Sequence, residues 1–135
     1  GYELDHLCYR VSTQEAYEFF KSSMSSRADM LAENMIAWRL IVTYKLHTPV
    51  VYKNREIYLI EFPAPKTWSD YEEWFEHVEF VISMRFEEFI QKHTLVTFDT
   101  KDISKEVNPD IRVKFDGFSV KFHHNSLEYV IKNFD

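Results

Sequence analysis

Two stretches near opposite ends of the chain share one pattern. Asp5-His6-Leu7-Cys8-Tyr9-Arg10-Val11-Ser12 and Glu76-His77-Val78-Glu79-Phe80-Val81-Ile82-Ser83 each run acid, His, apolar, variable, aromatic, variable, apolar, Ser. Each alternates with a period of two, so each reads as a strand. Each is followed by a helical run, Gln14–Lys21 in the first case and Met84–Lys92 in the second. A repeated strand-plus-helix unit restricts the fold more than any single segment does. Strand-like segments at Met30–Ile36, Arg39–Leu46 and Glu56–Phe62 complete a first β-α-β-β-β unit, with Lys53-Asn54-Arg55 as a turn. Leu95–Phe98, Ile111–Phe115 and Phe118–Phe122 complete a second, with Asp116-Gly117 as a hairpin turn and Ser126 capping a last helix, Leu127–Lys132. Pro63-Ala64-Pro65 ends the first unit, because proline cannot extend a ladder, and Lys66–Trp74 reads as a linker. The expected architecture is α+β: one domain over 1–135, made of two βαβββ units at about 1–65 and 74–135. Their sheets pair into a curved, half-open mixed barrel with the helices outside.

A chain of 135 residues that is 45% hydrophobic and 17% aromatic can bury a core. The formal net charge of −6 disfavours a nucleic-acid partner, which would need a basic stripe against phosphates. No apolar run reaches the roughly 18 residues of a membrane span. The single cysteine, Cys8, excludes an intrachain disulfide and fits a reducing compartment, so a cytoplasmic location is expected. The chain begins with Gly1, directly at a strand, and native sequence is expected to precede it.

Strand parity sorts the side chains that carry chemistry. His6, Cys8 and Arg10 share one face of the first strand, opposite Leu7, Tyr9 and Val11. His77 and Glu79 share the corresponding face of the second. Glu61 sits among apolar neighbours in Tyr58-Leu59-Ile60-Glu61-Phe62, where a carboxylate is costly unless a cation meets it. His6, His77 and Glu61 make a 2-His-1-carboxylate set of the kind that holds a divalent transition metal with open positions. His123, on the same face of its strand as Lys121, is the fourth candidate ligand. The expected cofactor is a divalent ion: iron, zinc, manganese or nickel. Glu79 is the candidate general base, and Arg10, Arg39 and Lys45 are candidates for holding an anionic group. The alternatives are ordinary strand histidines, a solvated carboxylate at Glu79, and a charged edge-protecting face at Arg39, Lys45 and His47. No phosphate loop, nucleophile elbow or dinucleotide fingerprint is present.

Several blocks resemble the YecM-like family of the vicinal oxygen chelate superfamily, which includes glyoxalases, bleomycin-resistance proteins and dioxygenases. They are Asp5-His6, Ala32-Glu33-Asn34-Met35-Ile36, Tyr44-Lys45-Leu46-His47-Thr48-Pro49-Val50, Ile60-Glu61-Phe62-Pro63, Phe75-Glu76-His77-Val78-Glu79, Asn108-Pro109-Asp110-Ile111 and Val120-Lys121-Phe122-His123. The resemblance implies the paired βαβββ fold and a divalent-metal site with ligands from the first and last strands of each unit. Those positions fall on His6, Glu61 and His77. The fourth falls near Lys121–His123, where many superfamily members carry Glu and this chain does not. The family also tends to carry an extra helical segment before the first strand. The resemblance names a site and not a substrate; with the superfamily's theme of chelating vicinal oxygens and with Arg10, Arg39 and Lys45, the expectation is a metal-dependent enzyme of lyase, isomerase or dioxygenase type acting on a small anionic, oxygen-chelating substrate, or else a non-catalytic ligand- or metal-binding module. Whether such a chain works as a monomer or a dimer stays open.

Overall fold

The computed structural model describes residues 2–67 and 72–134. Among them are seven strands and three helices, an α+β fold. The elements are β1 (Glu3–Arg10), α1 (Gln14–Met24), β2 (Ala28–Ile36), β3 (Arg39–Tyr52), β4 (Arg55–Pro63), β5 (Trp74–Val81), α2 (Phe86–Lys92), β6 (Asp110–Phe115), β7 (Phe118–His123) and α3 (Leu127–Phe134). The chain forms two compact units, His6–Glu76 and, separately, His77 onward together with the first five residues.

In the unit His6–Glu76 the strands run in the order β2-β3-β4-β1. β1 is parallel to β4, and β3 is antiparallel to both β2 and β4. The alternation of β1 sends Tyr9 and Val11 toward α1, where Val11, Tyr17, Val42, Tyr44 and Phe62 form the core and Tyr9 and Phe20 pack against it. Phe20 stacks on Phe62 with ring centroids 5.0 Å apart. Thr13 caps α1 by accepting from Ala16 N at 3.1 Å, and Glu15 and Lys21 sit at the helix ends that suit their charges. The helix is tied to the sheet edge at Glu33, which accepts from the Tyr17 hydroxyl and meets Lys21 Nζ at 2.7 Å. Lys21, and after it Tyr17, hold the Glu33 carboxyl below its ordinary range.

β3 runs on to Tyr52, well past the expected end at Leu46. Pro49 does not stop it, because the ladder to β4 shifts register between Lys45 and Val50 and leaves that proline without a bond to donate. Of the expected linker, residues 68–71 lie outside the described residues.

In the other unit the strand order is β5-β7-β6, with β5 parallel to β7 and β6 antiparallel to it. α2 contributes Phe86 and Phe89 to a core with Ile82 and Ile111, and Tyr2, Phe98 and Phe122 pack around it. Gly117, at φ 71°, makes the hairpin between β6 and β7, a backbone angle that suits a residue without Cβ. The N-terminus of α3 is capped twice: Asp5 Oδ2 accepts from Leu127 N at 2.9 Å, and Ser126 Oγ accepts from Tyr129 N at 3.1 Å.

The strand expected at Leu95–Phe98 is absent. Leu95 lies in a turn and is fully exposed, Val96 is at a bend, Thr97 and Phe98 are in neither helix nor strand, and only Asp99 joins the sheet, through a single bridge to Arg112. Ion pairs tie the stretch that follows, from Asp99 to Asp110, to β6. Lys114 meets Asp99 at 2.7 Å, and Arg112 bonds both Asp102 and Asp110. No helix among the described residues is long and apolar enough to cross a membrane.

Candidate metal centre

Each unit carries a buried histidine beside a buried carboxylate. In the first, β1 and β4 pair in parallel with His6 opposite Leu59 and Cys8 opposite Glu61. His6 and Glu61 therefore share a face, two positions apart along the strands, and His6 Nε2 lies 2.9 Å from Glu61 Oε1. His6 is 1% exposed and Glu61 8%. Thr43, also buried, stands directly across from Glu61 on β3.

In the second unit, β5 and β7 pair in parallel with His77 opposite Ser119, Glu79 opposite Lys121 and Val81 opposite His123. Glu79 lies between two imidazoles. Its Oε2 is 3.1 Å from His77 Nε2 and its Oε1 is 3.4 Å from His123 Nε2. All three side chains are buried, His123 completely. The opposite face of the same strands packs Phe80 on Phe122 at 5.6 Å, which fixes which side of the sheet is polar.

These distances fit a metal. Two ligands bound at right angles with bonds near 2.1 Å lie about 3 Å apart, close to the imidazole–carboxylate separations of 2.9 Å and 3.1 Å. Neutral imidazole and carboxylate are donors for iron, zinc, manganese and nickel alike.

The expected anion-holding residues are all engaged. Arg39 Nη2 donates to both oxygens of Glu76, at 2.9 Å and 3.2 Å. Arg10 Nε donates to the Glu72 carbonyl at 2.8 Å. Lys45 sits on β3 opposite Leu59 and Asp29. His77 and Glu79 share the strand face that alternation predicted, and the β1–β4 register brings His6 to Glu61. Sequence reasoning overlooked the close approach of Glu79 to His123. Strand alternation puts Glu79 and His123 each on the polar side of its own strand, but the parallel β5–β7 register that brings them together is seen only in the structure.

The family model described as "YecM protein" matches residues 1–133. An uncharacterised protein of Haemophilus influenzae is 31% identical over 81 residues, which covers 60% of this chain and 42% of that protein. The Escherichia coli protein YecM is 24% identical over 143 residues, covering 94% of this chain and 76% of the relative. The chain thus spans less than half of the first relative's length and about three quarters of the second's. A solved structure described as "Protein EC4020" superposes with a TM-score of 0.81 at 25% identity, over 99% of this chain and 78% of that one. A methylmalonyl-CoA epimerase of Streptomyces coelicolor bound to 2-nitronate-propionyl-CoA shares the fold. Its TM-score is 0.63 at 9% identity, over 93% of this chain and 98% of that chain.

Proposed function

The chain belongs to the YecM protein family, whose fold is that of the vicinal oxygen chelate superfamily, and from that premise we propose that it is a divalent-metal-dependent enzyme acting on a small anionic substrate. The observation that carries the reading is the recurrence of a buried His–Glu pair in both units, at 2.9 Å and 3.1 Å. We assign the ligand residues pair by pair, His6 with Glu61 in one unit and His77 with Glu79 in the other.

Register supports Glu79 over His123 as the fourth. Strand for strand, His77 corresponds to His6, Glu79 to Cys8, and Lys121 to Glu61. The last-strand carboxylate of the first unit has no counterpart in the second, and an acid stands one strand over instead. His123 then takes the other oxygen of Glu79 and orients it, as outer partners of metal ligands commonly do. A bound divalent ion with open positions would polarise a substrate oxygen. The chain's own part is to fix the ligands, keep them dry and exclude bulk water from the buried face.

A second reading is that the same site captures a ligand without turnover. It draws support from Glu79, the expected general base, which has both oxygens against imidazoles. A screen of the metal-loaded protein with 2-oxoacids, thioesters and catechols separates the two. Turnover that disappears in Glu79→Gln supports the enzyme. Tight binding of the same compounds with no product would sink it in favour of capture.

A further inference from the structure

We propose that the outer edge of β2 pairs with a second copy of this chain, the two β2 strands running antiparallel about a two-fold axis at Asn34.

β2 ends the ladder of its unit and is bonded to a strand on one side only, by β3. The other side of such a strand presents N–H and C=O groups that pair readily with another chain, and natural proteins commonly guard it with lysine, proline or a covering segment. β6, which ends the ladder of the other unit, is guarded in this way. It carries Arg112 and Lys114, and Asp99 covers it by exchanging backbone bonds with Arg112 at 2.7 Å and 3.1 Å. β2 has none of these three devices. Ala28–Ile36 holds no lysine, arginine or proline, and among the described residues no strand or bridge pairs with its outer side. Its bulge, between Met30 and Ala32, leaves Ala32–Ile36 regular against Thr43–Arg39 of β3.

Charge and apolar surface both favour a second copy. The two carboxylates of β2 are taken up within the chain: Asp29 lies 3.0 Å from His47 Nε2, and Glu33 meets Lys21 Nζ at 2.7 Å. Met35 and Ile36 are exposed, and so is Trp38 at the tip of the hairpin, at 86%. Ala37 and Trp38 hold φ of 50° and 70°, a left-handed pair that usually falls to asparagine and glycine. A tryptophan kept in that position, in water, is placed for contact with an apolar surface. With the axis at Asn34, Ala32 of each copy stands opposite Ile36 of the other, and Glu33 opposite Met35. No carboxylate then faces a carboxylate. The turn of each copy reaches past Ala32 toward the exposed Met30 of the other, which gives the Trp38 indole an apolar neighbour. An extended segment of another protein would use the backbone edge but not this reciprocity.

Sedimentation velocity of the full chain, from micromolar to several hundred micromolar, should show a reversible monomer–dimer equilibrium. Asn34→Lys and Asn34→Asp each set like charges against one another on the axis, and each should weaken dimerisation by about 5-fold or more, the effect of a cross-strand charge pair. Mixing the two variants should restore the dimer, because lysine then faces aspartate. Circular dichroism checks that both are folded. If either is not, Ile36→Lys, an exposed substitution beside the turn, takes its place and should also weaken the dimer. A monomer at every concentration would overturn the proposal and leave the edge to a segment of another protein. A dimer indifferent to these substitutions, or folded Asn34→Lys and Asn34→Asp chains that do not associate when mixed, would overturn it too, because the copies would then meet elsewhere.

Discussion

Glu61→Gln is expected to weaken metal binding by at least about 100-fold, since even partners outside the ligand set are worth 10- to 100-fold. The amide keeps the shape of the side chain but carries no charge, so the substitution isolates the carboxylate's electrostatic role. Glu61 is 8% exposed and His6 is 2.9 Å away, so the surroundings have little water to offer in its place. Stability should move the other way or hardly at all in the metal-free protein, because a buried carboxylate is expensive and a neutral amide is cheaper. Competition with a chelator of known affinity reads the first effect, and urea unfolding of the stripped protein reads the second. A variant with unchanged metal affinity would remove Glu61 from the ligand set.

The largest loss of stability is expected from Phe89→Ala. Phe89 is 2% exposed and sits at the centre of the core of the unit that begins at His77. Its ring touches Tyr2 at 5.1 Å, Phe122 at 4.7 Å and Phe98 at 5.7 Å. Truncation to alanine removes those contacts and leaves a cavity, at a cost of about 3–5 kcal/mol. That is a large part of the 5–15 kcal/mol typical of a folded domain. Phe89→Leu, which refills most of the space, should cost markedly less. The urea midpoint measures both. A loss below about 1 kcal/mol for Phe89→Ala would mean that this core is not what holds the unit together.

Much of the fold was legible because it depends on local pattern. The period-two stretches around His6 and His77 became β1 and β5, and Thr13 capped α1 as its position suggested. The errors came where tertiary terms outweighed local ones. The strand beginning at Arg39 read as ending at Leu46, yet a register shift lets β3 run on through Pro49 to Tyr52. Leu95–Phe98 had strand composition, but only Asp99 pairs with the sheet, and the ion pairs from Asp99 and Asp102 to Lys114 and Arg112 fasten the chain there instead of a ladder. The buried pairs were partly visible, since parity put His77 beside Glu79 and the apolar neighbours of Glu61 marked it as a carboxylate needing a cation. What parity cannot supply is which residues stand opposite each other across a ladder. That register brings His123 to Glu79 and sets Lys121 in the place that Glu61 fills in the other unit.

The central claim is that the two His–Glu pairs hold a metal, and metal content by mass spectrometry tests it most directly. The purified chain and a His6→Ala, His77→Ala double variant would be measured side by side, as isolated and after reloading with iron, zinc, manganese and nickel. The account predicts about one equivalent of a divalent ion in the unaltered chain and a loss of it in the double variant, with circular dichroism showing both folded. Absence of metal from the unaltered chain under every loading condition would contradict it, and the pairs would then be hydrogen-bonded strand residues.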